Sequence, residues 1–134
     1  MVDGGFDPLH DGHVAYFAAA ASLGAPLLCS VSSDRWVERK HAPLLSHEAR
    51  TRVIDAIRHI DYTYPAQEQT AEVLEALVPR YYVKGDDWRG RLPEAETEVC
   101  ERLGVEIVFL DTVRDSSSRL LAKYREHESA RGGR

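Results

Sequence analysis

The stretch "GGFDPLHDGH", Gly4 to His13, stands almost at the start of the chain. Gly4 and Gly5 follow a short run that reads as a strand end, and the backbone there is expected to come close to a ligand. Pro8 disfavours helix at Asp7, so a helix is predicted to begin near Asp11. Its free N–H groups and positive dipole end then face the loop, a ready phosphate site. His10 and His13 flank the same turn and can donate hydrogen bonds to phosphate oxygens, and Gly12 leaves room for them. The plain alternative is polar surface or a metal pair. A zinc site needs a third and fourth ligand, and no Cys/His cluster completes one. Only Met1, Val2 and Asp3 precede the glycines, so either the first strand is very short or residues are missing upstream.

Outward from this loop, helical and strand patterns alternate. "HVAYFAAAASLG" is helix-like with Gly24 as a stop, and "PLLCSVSS" follows as a buried strand. "SDRWVERKHAPLL" is irregular and carries the basic run Arg39-Lys40-His41. "SHEARTRVIDAIRHI" is amphipathic with Ser46 as N-cap. "DYTYP", "RYYVK" and "VEIVFL" read as strands, "TAEVLEALVP", "PEAETEVCERLG" and "SRLLAKYREH" as helices. The pattern predicts an α/β fold, a Rossmann-like parallel sheet with helices on both faces. Ligands in such folds sit at the carboxyl ends of the strands. Residues 1–127 are expected to form a single domain and 128–134 a disordered tail.

The 134 residues suffice for one core. No apolar run approaches a membrane span, and no signal peptide is evident. Cys29 and Cys100 are too few and too distant for a disulfide framework, which suits a reducing, cytoplasmic setting. A net charge of −5 argues against a broad nucleic-acid surface but allows a local basic cluster that holds a small anion.

Two further loops have unusual composition. In Lys84–Trp88, Gly85 permits close backbone approach, Asp86 and Asp87 can accept from a base or ribose, and Trp88 can cover a ring. Ser116, Ser117 and Ser118 open the last helix as a second N-terminal anion site, although a helix cap needs only one serine.

Together these segments resemble the cytidylyltransferase-like nucleotidyltransferases. "GGFDPLHDGH" is similar to their G-x-F-D-x-x-H-x-G-H signature, through Gly4, Phe6, Asp7, His10, Gly12 and His13. "KGDDWRGRL" resembles the Gly-Asp-Asp-Trp segment of glycerol-3-phosphate cytidylyltransferases, "SHEARTRVIDAIRHID" the family's Glu-x-Arg helix, and "DSSSRLL" its serine motif. The layout is also similar to the adenylyltransferase domain of ADP-heptose synthases, which usually have Gly-Gly-Asp-Tyr where this chain has Gly85-Asp86-Asp87-Trp88. The chain departs at Thr112-Val113-Arg114-Asp115, where the family has Arg-Thr-x-Gly.

The resemblance implies transfer of a nucleoside monophosphate from a triphosphate to a small phosphorylated substrate, with release of pyrophosphate. CTP and glycerol 3-phosphate are the first reading. The alternatives are ATP with a sugar 1-phosphate, and a nucleotide-binding protein without turnover. His10, His13, Lys40 and Arg50 would be the catalytic residues. Gly4, Gly5, Phe6, Asp7, Gly12, Lys84 to Trp88, Arg114 and Ser116 to Ser118 would bind the nucleotide. Mg²⁺ would arrive on the phosphates, with no metal site of the protein's own. A solvated charge run is the alternative for Lys40, and a surface arginine paired with Glu48 or Asp55 the alternative for Arg50. The family commonly pairs, which implies a homodimer. Trp36, Val37, Leu44 and Leu45, apolar residues in an irregular segment, would need such cover.

Overall fold

A computed structural model describes residues 1–111 and 117–132. The elements are β1 (Val2–Gly4), α1 (Asp11–Ala21), β2 (Leu28–Val31), α2 (Asp34–Val37), α3 (His47–Asp55), β3 (Tyr62–Pro65), α4 (Thr70–Leu77), β4 (Tyr81–Gly85), α5 (Glu94–Leu103), β5 (Glu106–Leu110) and α6 (Ser117–Gly132), with a 3-10 turn at Asp86–Trp88. The predicted alternation of strands and helices is observed. α2 was not anticipated inside the irregular segment; Ser33 caps it, its hydroxyl accepting from the Trp36 N–H. Residues 128–132, expected as a disordered tail, continue α6, in keeping with the helix formers Glu128, Ala130 and Arg131.

All strand pairs are parallel. Val2 stands opposite Cys29, Cys29 opposite Thr63, and Val83 opposite Val108. The ladders β1-β2-β3 and β4-β5 meet at Met1. Its carbonyl accepts from the Val83 N–H at 2.9 Å, and its amino nitrogen donates to the Tyr81 carbonyl at 2.6 Å. One residue bonded to two residues two apart is the parallel pattern, so the spatial order is 3-2-1-4-5. The strand order reverses between β1 and β4, and a ligand crevice is expected at their carboxyl ends.

Successive residues of β1 and β4 face opposite sides of this sheet. Val2 and Val83 join Tyr16, Phe17 and Ala20 of α1 and Ile54 of α3 on one face. Met1 and Tyr82 join Val73 and Leu74 of α4 and Val99 and Cys100 of α5 on the other. At three residues β1 is short, yet it is paired on both sides and its Val2 is fully buried. Both cysteines are buried and unpaired, as expected. Among the described residues no helix is long and apolar enough to cross a membrane.

Candidate active site

The β1–α1 loop delivers the two histidines to the crevice, and its hydrogen bonds fix their chemistry. His10 is the N-cap of α1, and its Nδ1 accepts the Gly12 N–H at 3.1 Å. His13 sits at the third helical position, and its Nδ1 accepts the His10 backbone N–H at 3.2 Å. The pair forms a reciprocal capping box built from imidazoles. The rings stack with centroids 3.8 Å apart, and Phe6 meets His13 edge-on at 5.1 Å. A nitrogen that accepts a backbone N–H carries no proton, so each neutral ring has its proton on Nε2. Burial, and then the neighbouring His10, lower the His13 pKa to about 4. The expectation of a donating or cationic pair thereby narrows to two neutral Nε2–H donors.

Packing requires Gly4 and Gly5 in the loop. A Cβ on Gly4 would meet the Phe6 ring at 3.0 Å, and one on Gly5 would meet Val37 Cγ2 at 2.9 Å and Trp36 at 3.3 Å. Phe6 itself adopts φ +52° and packs on Phe17. Asp7, expected at the nucleotide, is buried, and its carboxylate accepts the Leu44 N–H at 2.7 Å and the Leu45 N–H at 3.1 Å. It ties the basic segment to the histidine loop.

Arg50 is likewise placed differently from the expected phosphate role. It is 1% exposed, and four of its donors are engaged by the protein. Nη1 reaches the carbonyls of Gly5 (2.9 Å) and Ser32 (2.7 Å), Nη2 the Asp34 carboxylate (2.7 Å), and Nε the Leu45 carbonyl (3.2 Å). The Arg50 guanidinium holds the Asp34 pKa below its usual value. Neither Glu48 nor Asp55 is its partner; Glu48 pairs with Arg52. Arg50 is a positioning residue that joins the ends of β1 and β2 to α2 and the segment before α3.

Lys40 lies over the Trp36 ring at 4.7 Å. Its pKa is lowered by burial first and then by Lys84, so the two cations share one region. Lys84, 8% exposed, is the penultimate residue of β4, with its ammonium 3.0 Å from Asp3 Oδ1 and 4.4 Å from the Trp88 ring centroid. Asp86 is taken by Arg89 at 2.8 Å, while Asp87 is exposed. The structure thus groups Lys40, Lys84 and Trp88 near the carboxyl end of β4, and places the stacked His10 and His13 in the loop that follows the neighbouring β1. Arg114 and Ser116 lie outside the described residues, and Ser117 and Ser118 are placed only by their backbone, in the first turn of α6. Val37 is buried on its own core and Trp36 is half-buried, so neither needs a partner's cover, whereas Leu44 and Leu45 are 56% and 44% exposed.

Behind Lys84 lies a buried polar cluster that sequence reasoning missed. Asp3 Oδ2 accepts the Thr70 hydroxyl at 2.9 Å, and Asp3 Oδ1 lies 3.3 Å from the Tyr82 hydroxyl. Tyr82 also bonds the Glu96 carboxyl. A signal for Glu96 was present: Glu96, Val99, Cys100 and Leu103 share one helical face. Among the described residues no three His, Cys, Asp or Glu side chains cluster to hold a metal.

A family profile described as Cytidylyltransferase-like matches residues 1–121. The protein named bifunctional protein HldE from Coxiella burnetii is 35% identical over 127 residues, which is 92% of this chain and 27% of that protein. The HldE protein of Nitrosococcus oceani is 39% identical over 92 residues, 66% of this chain and 20% of its own. The chain thus spans about a quarter of the length of these curated relatives. Among solved structures, a lipopolysaccharide core biosynthesis protein from Thermoplasma volcanium superimposes with a TM-score of 0.71 at 24% identity, over 84% of this chain and 94% of that one. That likeness supports the fold alone. With its signature loop folded at the switch point of a 3-2-1-4-5 sheet, the chain belongs to the cytidylyltransferase-like family of nucleotidyltransferases.

Proposed function

We propose that this chain is an adenylyltransferase that moves AMP from ATP onto a sugar 1-phosphate of the heptose type. A phosphate oxygen of the sugar attacks the α-phosphorus, the bond from that phosphorus to the bridging oxygen breaks, and pyrophosphate leaves. No covalent enzyme intermediate is needed. The barrier lies in bringing two anions together and in the charge on the transferring group, so positioned donors carry the catalysis. The His10 and His13 Nε2–H groups would hold phosphate oxygens at the start of α1, and Lys40 and Lys84 would offset the charge. Trp88 would cover the base. Mg²⁺ bound to the phosphates would supply charge neutralisation beside Lys40 and Lys84.

The observation that carries this reading is likeness to HldE proteins along 92% of the chain, in line with the resemblance to the adenylyltransferase domain of ADP-heptose synthases. The CTP and glycerol 3-phosphate reading rests on Asp86-Asp87-Trp88, and it is weakened because Arg89 already holds Asp86. Exposed Leu44 and Leu45 support a homodimer, and the two buried thiols a cytoplasmic setting.

Calorimetric titration with ATP and CTP tests the base. Pyrophosphate release with a panel of sugar 1-phosphates and glycerol 3-phosphate tests the acceptor. ATP with a heptose-type acceptor is expected. Turnover confined to CTP and glycerol 3-phosphate would restore the first reading, and binding without release would leave a nucleotide-binding protein. Light scattering tests the dimer: the mass of one chain, with full activity, would remove it.

A further inference from the structure

The Tyr82 hydroxyl stands between two carboxyl groups and has one proton to give. It bonds Glu96, and Asp3 Oδ1 lies 3.3 Å from the same oxygen. Asp3 has two other donors, Lys84 at 3.0 Å and Thr70 at 2.9 Å. Glu96 is 7% exposed. If both carboxyls were ionised, one of them would face the phenol oxygen without a hydrogen between. Tyr82 can donate to Glu96 or to Asp3 but not to both; a second proton, carried by Glu96, would complete the chain, with Glu96 donating to Tyr82, Tyr82 to Asp3, and Asp3 accepting from Lys84. The Lys84 ammonium at the far end lies in the crevice with Trp88.

We propose that Glu96 keeps a proton within this chain and is, through Tyr82 and Asp3, the positioning residue for Lys84. The functional part rests on the nucleotidyltransferase reading given above. Burial, the largest influence, raises the Glu96 pKa, and Asp3 adds to it, while Tyr82 and Lys84 oppose. Burial, and then the Asp3 carboxylate, also keep Tyr82 protonated. The groups around Glu96 are few. Asp3 comes from β1, Tyr82 and Lys84 from β4, and Cys100 from its own helix, where burial raises the thiol's pKa. α4 sends Thr70 to Asp3, while its Glu75 is taken by Arg102 and its Glu72 by the Gln69 backbone. β5 offers Glu106, which is exposed. Loss of the Glu96 proton places a second negative charge behind Lys84. The ammonium is then drawn inward, away from a phosphate, and the added charge repels the nucleotide.

Three readouts on the whole chain test this, with Glu96→Gln as the mimic of the protonated acid. Infrared spectra of the empty protein near neutral pH should show a protonated carboxyl that is missing in Glu96→Gln; carbon NMR of glutamate-labelled wild type gives the same reading without a variant. The Lys84 ammonium resonance should follow that ionisation in wild type and lose the step in Glu96→Gln. ATP affinity should fall by about tenfold as the acid ionises in wild type and by less than about twofold over the same range in the variant. Lys40 titrates in both proteins, so the difference isolates Glu96. An ionised Glu96 at neutral pH, or parallel pH profiles in the two proteins, overturns the proposal. The first two readouts need no nucleotide. Failure of both ATP and CTP to bind would count against the proposed function, while those two still decide the inference.

Discussion

Replacing His13 by glutamine separates two roles that alanine would remove together. His13 occupies the third helical position and accepts the His10 N–H. Glutamine at that position makes the same reciprocal bond but does not titrate. The folded-state pKa of His13 is about 4, below its ordinary 6.5, so between those values the unfolded chain binds more protons. Stability is therefore full above pH 6.5 and falls as the pH drops toward 4. With about 1.36 kcal/mol for each pH unit, the loss assigned to His13 is about 2 kcal/mol by pH 5 and about 3 kcal/mol by pH 4. His13→Gln should lack this component. Urea unfolding followed by circular dichroism, at steps from pH 7.5 to 4, measures it as the difference between two proteins, so that the carboxylates common to both cancel. His13→Ala should also cost about 1 kcal/mol at pH 7 from the lost cap. Stability profiles of wild type and His13→Gln that run parallel within about 0.5 kcal/mol would refute the neutral imidazole cap.

His10→Ala should lower kcat by about a hundredfold or more with the fold retained, because it removes a donor fixed by the helix start; near-normal pyrophosphate release would remove it from the site. Arg50→Lys breaks bonds to three carbonyls and a carboxylate and should cost about 3 kcal/mol in denaturant unfolding. A loss below about 1 kcal/mol with turnover abolished would instead return Arg50 to the phosphates. Gly5→Ala forces a methyl to 2.9 Å from Val37 and should cost about 1–3 kcal/mol; an unchanged unfolding midpoint would contradict that packing.

The alternation of strands and helices and the histidine loop were legible because each rests on local signals: serine caps, helical spacing, and glycine with proline at a strand end. The fates of Asp7 and Arg50 depend on partners distant in sequence. Asp7 meets Leu44 and Leu45, and Arg50 meets Gly5 and Ser32. A signature identifies such residues as a set without saying which touch a ligand and which hold the loops that do. Partial clues existed. Arg50 falls on the same face as Ile54 and Ile57, four and seven residues on, and so is carried toward the core. Glu96 shares the face of Val99 and Cys100 for the same reason. A charged residue on an apolar helical stripe was the available sign, and it points to a buried partner rather than to solvent.

The cations of the crevice illustrate how an acidic chain can hold a polyanion. The net charge of −5 spreads over the whole surface, and exposed charges farther apart than a Debye length are screened. Lys40 and Lys84 lie close enough for one to lower the pKa of the other, and Lys84 is nearly buried. That repulsion disfavours the empty site and, in the proposed reaction, would be relieved when a phosphate enters between or beside the two ammonium groups. Asp3 offsets only part of it, because its two oxygens are shared with Thr70 and Tyr82. The two histidines add donors without adding charge, since both Nδ1 atoms are taken by the helix start. A pair of imidazolium ions stacked at 3.8 Å would repel each other in the empty protein. Keeping the imidazoles neutral lets the start of α1 present two Nε2–H donors without adding charge.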